Sequence, residues 1–337
     1  MMKYFSIFLI LFQAFVLEAR EDKSSKNIVT STTKLEFANF PRAFNPSIAK
    51  TDLGLVLTFR YCLAPAHHWI SYVGIVLLDD SLKPITEPEL LNTRDGGSIT
   101  PSQAEDARVF VYNGSLYLIY NDNIDYERPT PGQRRDMFIA QLSYSKGHFK
   151  LSNPVKLFHE TEYAKHNWQK NWVPFEWNNN LLLSYSLIPH EVLFPDLSTG
   201  LCQPIYNTFH PIDWGWGKWR GGTQASLVDG EYLAFFHSSI VMKSAASNGI
   251  SMHHYYMGAY TFSSNPPFEI TRTSQSPIIA DGFYTISPCD KRVIFPGGFT
   301  VNGSNIYVSY GKDDSEIWVA VMDKSKLKKS LVPVRRL

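Results

Sequence analysis

Asp122 closes the stretch NGSLYLIYND (residues 113–122), an alternating apolar and aromatic run that ends on two polar residues. A carboxylate at a strand end, with basic and amide groups brought beside it, suits general acid catalysis on a glycosidic oxygen. Candidates for those neighbours occupy equivalent places in other stretches. Asn45, Glu105, Asp106, Arg108, Lys170 and Asn171 stand where strands would begin, and Arg60, His237 and Asp314 where strands would end. Asp122 is therefore read as the catalytic acid, and Asn45, Arg60, Glu105 and Asp106 as substrate-binding groups. Trp168, Trp172, Trp177, Trp214, Trp216 and Trp219 cluster in mid-chain, where flat rings either pack on pyranose faces or fill a core.

These residues converge only if the chain repeats itself. TDLGLVLTFRY (51–61), YNGSLYLIYND (112–122), WNNNLLLSYSL (177–187), VDGEYLAFFHS (228–238) and VNGSNIYVSYGKD (301–313) share one pattern, a Gly/Asn/Asp turn followed by an alternating strand. Such turns join antiparallel neighbours. A short strand precedes each turn and a third follows, for example RRDMFIAQLSY and EIWVAVMD. Five units of three or four antiparallel strands predict an all-β fold, a five-bladed β-propeller. In that fold first strands start, and second strands end, at one face of a central channel. Helical periodicity is nearly absent.

The sequence has 337 residues, with Lys plus Arg (32) balanced against Asp plus Glu (31), and basic runs only in the C-terminal tail. No nucleic-acid footprint follows. Residues 1–19 carry Lys3, an apolar stretch from Tyr4 to Leu17 and a small Ala19, the layout of a signal peptide. The expectation is a single domain over 20–337 in a secreted, periplasmic or secretory-lumen protein with no stable membrane span. Cys62, Cys202 and Cys289 are too widely spaced for a metal site and allow at most one disulfide. NGS at Asn113 and Asn302 reads first as hairpin turn and second as glycosylation acceptor.

In order along residues 45–321, EDARV (105–109), YND (120–122), KNWVPF (170–175), FFHS (235–238), YYMGAYTF (255–262), VIFPGG (293–298) and YGKDDSEIWVA (310–320) resemble segments of the glycoside hydrolase family 130 propellers, the β-mannoside phosphorylases and their relatives. The resemblance implies Asp122 as proton donor, Asp314 on sugar hydroxyls, and Lys170, Asn171 and His237 with nearby Arg108 on phosphate. It implies an oligosaccharide substrate, inorganic phosphate as co-substrate, and no metal or organic cofactor. Ala107 replaces the family's proline, RGGTQ (220–224) departs from its Gly-Pro-Pro run, and Lys312 and Asp313 replace two alanines.

The leading expectation is an inverting enzyme of β-mannosides or similar glycans, by phosphorolysis, hydrolysis or transfer. A hydrolase needs a second carboxylate to activate water, with Glu105, Asp106 and Asp313 as candidates. An arabinanase-like hydrolase would need an acid where Asn45 stands. A glycan-binding propeller without turnover is the non-enzymatic alternative.

Overall fold

The computed structural model describes residues 28–62, 70–93, 103–123, 134–152, 154–162 and 168–334. The expected signal peptide lies outside them. Among the described residues the chain forms five antiparallel meanders. The first runs Phe44–Thr51, Gly54–Cys62, Ser71–Leu78 and Glu89–Leu90, and the second Glu105–Tyr112, Ser115–Asp122 and Asp136–Ser145 with His148–Leu151 beside it. The third runs Val173–Trp177, Asn180–Leu187, His190–Pro195 and Leu201–Thr208. In the fourth, Ser226–Val228 leads into Glu231–Met242, Met252–Ser263 and Ile270–Thr273. The fifth runs Lys291–Asn302, Asn305–Lys312 and Glu316–Asp323, and Val29–Leu35 from the start of the described chain closes it, with Lys34 opposite Trp318.

Strand periodicity explains how the meanders pack. Side chains alternate between faces, so Leu118 and Tyr120 enter a core shared with the first meander while Ile119 enters one shared with the third. Five such cores lie between consecutive meanders, the last joining the fifth meander to the first through Ile317, Val319, Ile48 and Leu57. The meanders therefore close into a propeller-like ring, and its inner strands are buried on both faces. The second strand Ser115–Asp122 is likewise buried on both faces from Leu118 onward.

The turn residues behave as their types demand. Asn113 and Gly114 both have positive φ (47° and 70°) and bring Tyr112 opposite Ser115, the conformation that suits a tight hairpin. Near the centre, first strands approach so closely that a Cβ on Gly297 would collide with the Pro46 carbonyl. Gly297→Ala is expected to cost about 1–3 kcal/mol of stability through overpacking, measurable by urea denaturation. The same substitution at Gly303, where a Cβ would meet nothing within 4 Å but φ is +60°, should carry only the smaller backbone penalty.

All three cysteines are free thiols, with Cys202 buried and Cys62 and Cys289 half-buried. No helix among the described residues is long and apolar enough to cross a membrane.

Candidate active site

The first strands begin with a recurring irregularity. Pairing registers slip between Phe44 and Ser47, between Glu105 and Arg108, and between Pro296 and Gly298. Bulges of this kind turn a side chain out of the ladder. Asn45 (φ 47°) and Asp106 (φ 52°) occupy two of them, and Asn171 (φ 64°) stands just ahead of the third meander's first strand. Asn and Asp tolerate this left-handed backbone better than other L-residues.

These residues lie at one mouth of the ring, in a cavity of about 1430 Å³. Asn45, Arg60, Glu105, Asp106, Lys170, Asn171, His237 and Asp314 all line it. Asn45 Nδ2 donates to Asp106 Oδ1 at 2.8 Å, and Arg60 Nη1 lies 4.0 Å from the same oxygen. Arg60 Nη2 reaches Glu105 Oε1 at 2.9 Å, and Lys170 Nζ reaches Glu105 Oε2 at 2.7 Å. Arg135 Nη2 adds a third cation, 3.1 Å from Glu105 Oε1. Burial pushes the Glu105 carboxyl up, but Arg60, Lys170 and Arg135 outweigh it and hold the group at about 2. Glu105 is thus a fixed anion, unsuited to giving or taking a proton near neutrality. Asp314 pairs with Lys291, and the Asp313 carboxylate accepts from the Val293 amide at 2.8 Å.

His237 sits opposite Arg220 across a strand pair. Burial, together with the Arg108 and Arg220 charges, pushes its imidazole well below the usual range, so the ring is neutral at pH 7. One ring nitrogen bonds the Gly221 backbone, and Nδ1 has no hydrogen-bond partner among the described residues. Arg220 is exposed to the cavity and has no ion-pair partner among the described residues, unlike Arg60, Lys170 and Lys291.

Two expected residues are placed differently. Asp122 has no exposed surface and does not line the cavity; its Oδ1 accepts from the backbone amides of Gln103 (3.1 Å) and Asn123 (2.6 Å). The strand end does reach this mouth, but the pleat turns Asp122 toward the preceding segment, and the bulge at Asp106 presents that carboxylate to the cavity instead. Arg108 is 1% exposed and committed to the interior: Nη2 donates to Asn171 Oδ1 (3.0 Å) and the Gly221 carbonyl (3.3 Å), Nη1 to the Asp106 carbonyl (3.3 Å), and Nε to the Gly222 carbonyl. It ties the second meander to the third and fourth and orients Asn171.

Sequence reasoning passed over Arg135, Arg220 and Lys291. Arg220 was signalled only by its place before the two glycines of RGGTQ. Among the tryptophans, Trp172 and Trp219 are core, at 1% and 4% exposed, whereas Trp168 is 59% exposed.

Neither a protein-family model nor a curated protein matches the sequence. Solved structures do match in fold. A glycosyl hydrolase from Bacteroides ovatus superposes with a TM-score of 0.62 at 16% identity, covering 88% of this chain and 87% of that one. The β-1,2-mannobiose phosphorylase of Listeria innocua, in complex with β-1,2-mannobiose, gives 0.57 at 15%, covering 86% and 92%. A GDP-Man-dependent mannosyltransferase from Leishmania mexicana gives 0.54 at 12%, covering 88% and 91%. The chain has the fold of the family 130 propeller enzymes. Within that fold, the propeller-like ring places the cavity and its charged lining at the mouth where the inner strands begin.

Proposed function

We propose that this protein is an inverting carbohydrate-active enzyme of β-mannosides, and that an anion attacks the sugar in the cavity at the ring mouth. The observation that carries this is one cavity lined by both hydroxyl-binding groups (Asn45, Asp106, Asp314) and cationic or amide donors (Lys170, Arg220, Asn171). The fold neighbours act on mannosides and, in one case, are seen with a phosphate ion. In a phosphorolytic cycle a phosphate oxygen forms a bond to C1 from the face opposite the leaving group. The C1–O bond to the aglycone breaks with its electron pair, and a proton from a cavity carboxyl neutralises the leaving oxygen. Asp106 is the carboxyl best placed to deliver it: it lines the cavity, and its nearest cation, Arg60, stands 4.0 Å away. Lys170 and Arg220 would balance the phosphate charge and aim its oxygen.

Arg220→Ala is expected to raise the KM for phosphate about tenfold, worth roughly 1.4 kcal/mol, with the KM for β-1,2-mannobiose within twofold of wild type. Steady-state kinetics with each substrate varied separately would check it, and an unchanged phosphate KM would remove Arg220 from the anion subsite. A nucleotide-sugar donor is the second reading. It is favoured by the cavity volume of about 1430 Å³, above the ~300–1,000 Å³ usual for small-ligand pockets.

A further inference from the structure

Trp168 is the one mid-chain tryptophan that is both largely exposed and tied to the site. Its ring carries two cations: Lys170 Nζ lies 5.0 Å and the Arg135 guanidinium 5.5 Å from ring centroids of the indole. Both cations are themselves held by Glu105, at 2.7 and 3.1 Å, and the Trp168 backbone bridges Arg135. The indole is therefore fixed by the same buried anion that organises the cavity, although Trp168 itself stands outside the cavity lining. At 59% exposure more than half of the residue's surface stays open to solvent beside these two cations. A large aromatic surface held rigid before any ligand arrives loses little conformational freedom on binding, and its flat apolar face suits the C–H face of a pyranose.

We infer that Trp168 forms an outer sugar subsite, a stacking platform roughly one hexose beyond Lys170, that engages chains longer than the disaccharide. The inference rests on the mannoside reading above and adds a chain-length preference to it. Sugars within the cavity meet charged and amide groups. The next residue outward meets an aromatic ring that reads shape and not charge.

The test uses the full-length protein with β-1,2-linked mannobiose, mannotriose and mannotetraose, comparing wild type, Trp168→Ala and Trp168→Phe. KM is measured for each length, and binding is measured by calorimetry in parallel. The expected result is a KM for mannotetraose about tenfold higher in Trp168→Ala, mannobiose within twofold of wild type, and Trp168→Phe between the two. An equal change at every length, or no change at any, overturns the outer subsite while leaving the mannoside reading standing. If wild-type protein neither binds nor turns over any of the three, the mannoside reading falls and the subsite with it. Circular dichroism and melting of the variants separate lost stacking from lost fold, and an exposed side chain predicts little change in either.

Discussion

Asp106→Asn is expected to lower turnover by about 10²–10⁴-fold, the range for removal of a general acid, with substrate binding retained. Asparagine tolerates the φ of 52° at this position as aspartate does, so the bulge should survive and only the transferable proton is removed. Asp122→Asn is expected to stay within a few fold of wild type. Its new amide keeps an oxygen able to accept from the Gln103 and Asn123 amides that Asp122 now holds. A pair of kcat measurements separates the two carboxylates. The reverse outcome, with Asp122→Asn inactive and Asp106→Asn active, would return the proton to Asp122 and require that side chain to leave its buried position during the cycle.

Glu105→Gln carries the largest expected loss of stability. One buried carboxylate, 6% exposed, faces Arg60, Arg135 and Lys170. Removing the shared anion leaves buried cations uncompensated, at a cost of about 3–5 kcal/mol. The pH dependence has a definite sign. The folded-state pKa of Glu105 is depressed from 4.5 to about 2 by these cations. Its stabilising contribution is therefore fully present above about pH 4.5 and is lost as the pH falls toward 2. Urea denaturation across this window should show wild type losing stability faster than Glu105→Gln, so that the gap between them narrows as acid is added. A gap of constant size would mean that Glu105 acts through packing and not through charge. Because Lys170 and Trp168 both depend on this anion, the variant should also weaken the anion and outer sugar subsites.

Much of the ring was legible because its signals are local. Gly/Asn/Asp turns between alternating strands, three of them Asn-Gly or Asp-Gly, survive inspection one hairpin at a time, and five such turns in series imply the architecture. Eight of the ten expected site residues line one cavity because strand starts and strand ends reach the same mouth. The strand Val29–Leu35 was not legible: its partner is Glu316–Asp323, nearly the whole chain away, and no local pattern marks such a pairing. Asp122 and Arg108 were read from their places at a strand end and a strand start, whereas the direction of Asp122 follows the pleat of a regularly paired strand and that of Arg108 follows the bulge between Glu105 and Arg108. Residue type alone also could not separate Trp172 in the core from exposed Trp168, since both sit in the same aromatic stretch. The cation network around Glu105 draws on four separate segments, and only the folded ring brings them together.

The central claim is that sugar and anion react together in the cavity at the ring mouth. The most direct measurement is product analysis after incubating the protein with β-1,2-mannobiose, with and without inorganic phosphate, resolving mannose 1-phosphate from free mannose by mass spectrometry. The account predicts mannose 1-phosphate only when phosphate is present, and none from Asp106→Asn. Free mannose formed equally with and without phosphate would contradict it and make water the nucleophile.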